Sequence, residues 1–167
     1  MKTIIPPHLK AAHGVENISS IIPEAIEICK GIQDKIFSPP GSQYTDCFAM
    51  AQPQVSDNPL RYFVINPVLG ASVAKDLGGL VIINPRIISK DRTSRLMHPE
   101  GCMSYPFRAV KKVKRFNRII VSYESIKDIS NSKLITSDRI EEKEITGMTA
   151  MVFQHELEHL NGHSIYS

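Results

Sequence analysis

The segment that most constrains the fold of this chain lies near its C-terminus, where a helical apolar pattern runs into two histidines. Five residues fall at positions i, i+3, i+4, i+7 and i+11, which is one face of a helix: Met148, Met151, Val152, His155 and His159. Thr146 is suited to be the N-cap and Gly162 the residue after the helix end. The pattern therefore predicts a helix packed on another layer, with both imidazoles turned toward the core.

This face carries the sequence His155-Glu-Leu-Glu-His159. Because side chains at i and i+4 lie one above the other on a helix, the two imidazoles can converge on one metal ion. Glu156, beside the first histidine, is placed to carry a proton for water near the ion. The alternative is a helix whose histidines occur by chance and bond to backbone or water. The apolar face and the clean helix ends favour the metal site.

A third ligand has to come from elsewhere in the chain. In one class of metalloprotease the third ligand is a histidine six residues after the second, where this chain has Ile165. In another class it is a glutamate on a helix further downstream, but only eight residues follow His159 here. His163 follows the predicted helix end and is expected at the surface or behind the ligands. Cys102 follows Gly101 in a loop-like segment, and thiolate is a strong metal ligand. Cys102 as a buried structural thiol is the alternative.

The rest of the chain predicts an α+β fold. A helical stripe extends from a capping Ser20 to Phe37, and Asn-Pro pairs at 66–67 and 84–85 bend or end strands. Residues rich in β-formers follow in four runs: Leu60–Asn66, Gly79–Ile88, Val110–Val113 and Arg118–Tyr123. Ser125–Glu144 is polar and fits a hairpin with a long loop. We expect antiparallel or mixed sheets packed around a C-terminal metal-binding helix, with an N-terminal helix.

Composition limits the classes of function. The 167 residues suit one domain spanning 1–167, and a net charge of +3 argues against direct nucleic-acid binding. The basic cluster Lys111–Arg118 is explained by a strand with a solvated face. Three cysteines favour reduced thiols over a disulfide framework. Neither a signal peptide nor a membrane span is evident, so a soluble intracellular protein is expected.

Two motifs and part of a third resemble the peptide deformylase family. Glu100-Gly-Cys-Met-Ser104 matches the family's E-G-C-hydrophobic-S motif completely, and His155–Gly162 matches its H-E-x-x-H motif. The first motif, usually G-x-G-L-A-A-x-Q, is matched in part by Cys47–Gln54. Ala51 and Gln54 are retained, whereas Cys47 and Ala49 replace the glycines and Gln52 replaces the second alanine. Ala49 is expected to alter the groove beside the substrate peptide.

The resemblance implies a metal-dependent hydrolase that removes the formyl group from N-terminal formylmethionine of new polypeptides. It implies that Cys102, His155 and His159 bind one divalent metal, usually Fe²⁺, with Zn²⁺, Ni²⁺ or Co²⁺ as substitutes. Glu156 would transfer the proton, and the Gln54 amide and the Met103 backbone N–H would stabilise the oxyanion. By motif position, a further set would line the substrate pocket: Phe48, Ala49, His98, Glu100, Met148, Met151 and Val152. An ion pair between Glu100 and Arg108 would hold the Cys102 loop.

The resemblance also sets expectations about partners. Bacterial members usually continue beyond the metal helix, whereas only His163 to Ser167 follow Gly162 here. Short members of the family occur in viruses and some organelles. We therefore expect a monomer that meets nascent formylated peptides without a C-terminal ribosome-docking helix, in a bacterial cytoplasm or, if virus-encoded, a host cytoplasm. No membrane partner is expected.

Two other functions compete with this interpretation. One is a zinc endopeptidase built on the His155–His159 motif, which would need a third ligand other than cysteine. The other is a protein that binds formylated peptides or metal without turnover. Replacement of Cys102 separates the first from a deformylase, because a deformylase should lose both metal and activity.

Overall fold

The computed structural model describes residues 11–42, 46–127, 129 and 137–166. Helices are α1 (Ile18–Gln33), α2 (Ala71–Leu77) and α3 (Gly147–Leu160). Strands are β1 (Ala49–Ala51), β2 (Tyr62–Ile65), β3 (Val81–Lys90), β4 (Arg95–Glu100), β5 (Lys111–Phe116), β6 (Arg118–Ile126) and β7 (Ser137–Thr146). Short 3₁₀ turns cover Gln52–Gln54 and Arg92–Ser94. The N-terminal residues used to argue against a signal peptide, and part of the predicted Ser125–Glu144 hairpin, lie outside the described residues.

The strands form two sheets in which neighbours are antiparallel. Five strands make the larger sheet, in the order β1-β2-β3-β6-β7, and β4 pairs with β5 in a separate hairpin. The predicted α+β class, with helices at both ends of the chain, is confirmed.

Successive side chains of β2 point to opposite faces of the sheet, and both faces are buried. Phe63 and Ile65 belong to the apolar cluster beneath α3 and α2, whereas Tyr62 and Val64 belong to the cluster beneath α1. All four side chains are fully buried. The ring of Phe153 from α3 meets Phe63 edge-on, with centroids 6.0 Å apart. This contact anchors the middle of α3 on the sheet and so fixes where its histidines lie.

The predicted helix ends are right for α3 and shifted for α1. Thr146 is the N-cap of α3, and Gly162 follows its C-cap with φ of +83°. For α1 the N-cap is Asn17, whose side chain accepts from the Ser19 amide, so the assignment of the cap to Ser20 is wrong. The helix also ends at Gln33 and not near Phe37. The apolar period marks which face is buried but does not locate the last turn.

The Asn-Pro pairs act as the sequence predicted. Asn84 has φ of +51° at a register shift in β3, and its amide bonds both backbone groups of Val15 at 2.8 and 2.9 Å. Asn66 follows the end of β2, and its Nδ2 donates to the Cys47 carbonyl at 3.0 Å. The Asn66-Pro67 pair therefore tethers the segment that leads into β1.

Helix α2 and strand β4 were not predicted. Helix α2 is short, and β4 carries the polar and proline-containing sequence Arg-Leu-Met-His-Pro-Glu. Strand β4 has no apolar pattern of its own; it is a strand because it pairs along its whole length with Lys111–Phe116 of β5. Among the described residues, no helix combines the length and apolar character needed to cross a membrane.

Gly70 offers a test of how tightly the backbone is packed beside β1. A Cβ at this position would lie 2.5 Å from Ile65 Cγ2, 2.8 Å from the Asn66 carbonyl oxygen and 3.0 Å from the Phe48 carbonyl oxygen. We expect Gly70→Ala to lower the free energy of unfolding by about 1–3 kcal/mol, measured by urea denaturation. Gly14→Ala is the control, because its nearest neighbour would be 3.6 Å away; equal stability losses would contradict this packing.

Candidate active site

Two parts of the chain bring three potential metal ligands together. His155 and His159 project from α3, and Cys102 follows β4. Their ligand atoms all lie within 4.8 Å of one another, and Cys102 Sγ is 3.4 Å from His159 Nε2. Cys102 and His159 are buried, with 3% and 2% of their surface exposed. The predicted ligand set is thus a compact cluster, and its role as a metal site stays a prediction.

The chemistry of this cluster fits a divalent cation. Burial holds the pKa of His159 well below its usual value, so its imidazole is the neutral form that binds metals. Burial opposes protonation of His155 as well, but hydrogen bonds to Cys102 and Glu100 outweigh it and raise the pKa of His155 to about 10. The groups around His155 therefore favour positive charge at this point of the cluster. Thiolate with two imidazoles is a donor set typical of zinc and other first-row metals.

Glu100 orients the first histidine. Its Oε1 accepts from His155 Nδ1 at 2.7 Å, which leaves Nε2 of the same ring for the cluster. Burial alone would raise the pKa of Glu100, but hydrogen bonds from Arg115 and His155 overcome that effect and lower it to about 2. A carboxylate bonded to the far nitrogen of a ligand histidine fixes its tautomer and ring orientation.

Arg115 neutralises Glu100, which corrects two sequence interpretations. Arg115 Nε and Nη2 bond the two Glu100 oxygens at 2.8 and 2.7 Å, and Nη1 reaches Glu158 on α3. Arg115 is only 3% exposed, so its assignment to a solvated basic face is wrong. The suggested ion pair of Glu100 with Arg108 is also wrong, because Arg108 lies over the rings of Tyr105 and Tyr166. Sequence reasoning missed Arg115 because alternating strand residues do not reveal which face is covered.

Glu156, the predicted proton-transfer residue, is buried and lines the cavity beside the cluster. It is 4% exposed, and its Oε2 has no hydrogen-bond partner among the described residues. Burial raises the pKa of Glu156 to about 7. A carboxyl group with a pKa near neutrality can both accept and return a proton.

Gln54 is held from both sides. Its Oε1 accepts from the Ala51 amide at 2.9 Å, and its Nε2 donates to Ser104 Oγ at 3.0 Å. This pairing directs the NH₂ group toward the loop that carries Cys102 and Met103. Gln54 and Met103 both line the cavity beside the cluster.

A cavity of about 450 Å³ opens beside the cluster. Its size lies within the range of small-ligand sites. It is lined by every predicted pocket residue: Phe48, Ala49, His98, Glu100, Met148, Met151 and Val152. Asp46, Cys47, Pro99 and Gly101 also line it and were not predicted. Phe48 and Met148 are each 44% exposed, so they are not core residues. Their exposure fits their position on the cavity wall. His163 is exposed, as expected.

Removing the charge of Arg115 should destabilise the folded protein strongly. We expect Arg115→Met to lower the free energy of unfolding by about 3–5 kcal/mol, because the Glu100 carboxylate would be left buried and without its cation. Chemical denaturation measures this loss. Lys114→Met is the control. Lys114 precedes Arg115 on β5 but its side chain is exposed, so we expect the free energy of unfolding to change by less than about 0.5 kcal/mol. Similar losses for both variants would contradict a buried structural role for Arg115.

Comparisons with known proteins agree with this arrangement. The family described as "Polypeptide deformylase" matches residues 16–167. The peptide deformylase of Thermotoga maritima is 34% identical over 117 residues, which are 70% of this chain and 58% of that protein. The Campylobacter jejuni enzyme is 35% identical over 64% of this chain and 54% of its own length. The matches thus span little more than half of these relatives.

Solved structures give the same result for the fold. The crystal structure of the Thermotoga maritima peptide deformylase superposes with a TM-score of 0.71 at 27% identity, covering 99% of this chain and 95% of that one. A probable peptide deformylase from Synechococcus phage S-SSM7 gives 0.69 at 21% identity, over 99% and 98% of the two chains, which supports the fold alone. With the family match extending over nearly the whole sequence, the chain belongs to the polypeptide deformylase family.

Proposed function

We propose that this chain is a single catalytic domain that removes the formyl group from N-terminal formylmethionine of new polypeptides and releases formate. One observation carries the proposal. Cys102 and His155 line the same cavity as Glu156 and Gln54, and His159 completes the ligand cluster behind them. A metal cluster, a buried carboxyl and an oriented amide around one cavity suit hydrolysis of an amide bond.

Cys102, His155 and His159 would hold one divalent cation, and we propose Fe²⁺ as the physiological ion, with Zn²⁺, Ni²⁺ or Co²⁺ as substitutes. When bound, the cation supplies Lewis acidity, which lowers the pKa of water and polarises a carbonyl oxygen. Glu100 keeps His155 in position through its bond to Nδ1. Arg115 in turn keeps Glu100 charged.

The remaining groups act on the substrate. Glu156 removes a proton from the attacking water and later returns it to the leaving amine. The Gln54 NH₂ group and the Met103 backbone N–H donate to the oxyanion of the tetrahedral intermediate, which stabilises charge that develops only as the reaction proceeds. Loss of one such donor typically costs about 100-fold or more in kcat.

The cavity wall suits a methionine side chain. Met148, Met151 and Val152 come from the first half of α3 and line the cavity with Phe48. Flexible, polarisable methionines pack well against a thioether. Ala49 and Cys47 add side chains on the wall formed by the β1 segment, so we propose that preference beyond the first residue differs from that of relatives with glycine there.

The substrate sets the proposed surroundings of the protein. Formylated nascent chains arise in the cytoplasm of bacteria, and we propose that the protein acts there, or in a host cytoplasm if it is virus-encoded. We further propose that it works as a monomer on emerging peptides, without nucleic-acid contact or membrane contact.

The experiment is formate release from formyl-Met-Ala-Ser by protein loaded with ferrous or nickel ion. Acetyl-Met-Ala-Ser and an internally cleavable peptide serve as controls. We expect formate from the formylated peptide and no cleavage of internal bonds. Absence of formate from the metal-loaded protein would rule out the proposal, and internal cleavage would favour the endopeptidase. Binding of the formylated peptide without formate would favour a non-catalytic role.

A further inference from the structure

Gln52 begins the 3₁₀ turn after β1, and its side chain is almost completely buried at 1% exposure. Its Nε2 donates to Glu24 Oε1 at 3.0 Å and to the Asn58 carbonyl at 2.9 Å. Its Oε1 accepts from the Leu60 amide at 2.7 Å. One amide therefore joins α1, the turn after β1 and the segment that leads into β2.

The node formed by Gln52 and Glu24 continues into the sheet. The hydroxyl of Tyr62, a fully buried residue of β2, donates to the same Glu24 oxygen that accepts from Gln52. Hydrogen bonds in such a buried network are worth more than in water, and a partly broken network is costly. This side of the 3₁₀ turn is thus fixed by polar contacts to two neighbouring elements, where an alanine would have made none.

The same turn presents Gln54 to the cavity. Gln52, Pro53 and Gln54 form the 3₁₀ turn, and the Val55 amide closes it by donating to the Gln52 carbonyl at 3.0 Å. Gln54 turns toward Ser104 and the cavity, whereas Gln52 turns toward Glu24 and α1. Only Pro53, whose ring fixes its φ, separates Gln52 from Gln54, so a displacement of Gln52 would reach Gln54 along the backbone.

We propose that Gln52 is a positioning residue for the reaction, whose buried amide fixes the turn that presents the Gln54 amide to the oxyanion. The inference rests on the proposed function of Gln54 as an oxyanion donor. Because a misplacement of about 1 Å can cost about 100-fold in rate, the node matters to catalysis although it does not touch the cavity.

The test is a double-mutant cycle with Gln52→Ala and Gln54→Ala, assayed as formate release well below the melting temperature of each variant. We expect Gln52→Ala to lower kcat about 10-fold with KM changed less than about 2-fold, since the Gln54 amide that it positions acts on the developing charge. In the Gln54→Ala background the same change should cost less than about 2-fold, because its effect passes through Gln54. An equal loss in both backgrounds, or no loss in either, would overturn the proposal.

Tyr62→Phe is the matched control. It removes one hydrogen bond to Glu24 but leaves all three bonds of the Gln52 amide, so we expect a lower melting temperature with kcat within about 2-fold of the unmutated protein. A 10-fold fall in kcat for Tyr62→Phe would assign the effect to general loosening and overturn the role of Gln52.

A second measurement does not depend on activity. The side-chain NH₂ resonances of Gln54 can be identified in a ¹⁵N correlation spectrum by their loss in Gln54→Ala. We expect Gln52→Ala to shift or broaden them and Tyr62→Phe to leave them in place. Unchanged resonances in Gln52→Ala would overturn the positioning role even if the protein deformylates peptides. Shifted resonances in a protein that releases no formate would support the geometric coupling and reject the proposed function instead.

Discussion

Replacing Cys102 with serine is expected to abolish both metal binding and formate release. A neutral hydroxyl replaces the thiolate, and the two histidines alone cannot hold a divalent cation against exchange. Loss of an outer-shell partner typically costs up to about 100-fold in metal affinity, so removal of a ligand should exceed that. Metal content per chain after dialysis, together with kcat/KM for formyl-Met-Ala-Ser, measures the effect.

Two other cysteines provide controls for this change. Cys29 is buried on α1, far along the chain from the cluster, and Cys47 lines the cavity without belonging to the ligand set. Cys29→Ser and Cys47→Ser should each retain one metal per chain. A Cys102→Ser protein with a full complement of metal would show that the third ligand lies elsewhere, as the endopeptidase alternative requires.

Replacing Glu156 with alanine is expected to separate metal binding from catalysis. The three ligands remain, so metal content should not change. The rate should fall because the buried carboxyl that we propose transfers the proton is gone; general acid–base catalysis typically contributes about 10²–10⁴-fold. Single-turnover formate release by the metal-loaded variant measures the rate of the chemical step without product release.

Glu156→Gln is the matched variant because it keeps the shape of the side chain and one carbonyl oxygen but removes the basic carboxylate. We expect its kcat to be as low as that of Glu156→Ala. If the glutamine variant kept the unmutated rate, proton transfer by this residue would be excluded, and the carboxyl would have only a packing role.

The sequence predicted the parts of the fold that follow from local periodicity. The α3 stripe located the helix, its N-cap and its end, because the 3.6-residue period and the capping residues act within one element. Strands β2, β3 and β6 were located because β-forming residues are concentrated within each of them, which is also a local signal. Strand β4 was missed because its polar sequence becomes a strand only through pairing with β5. The cap of α1 was misplaced because Asn17, Ser19 and Ser20 are all capping residue types.

The metal cluster was predictable to a different degree for each ligand. Helix geometry placed His155 and His159 together without reference to any family. Cys102, 53 positions before the first of them in the chain, was assigned mainly from the resemblance of its motif. The cluster of ligand atoms within 4.8 Å shows that the chain can bring the three together.

By itself, the sequence singled out the side chains that we propose carry the chemistry: two histidines one helical turn apart, a glutamate beside them and a cysteine in a matching motif. Only the tertiary structure decided what holds them. Arg115 of β5 pairs with Glu100, and Gln52 joins α1 to the turn of Gln54. Both are polar residues whose burial depends on contacts between elements distant in sequence. The local spacing of apolar and polar residues does not predict such contacts.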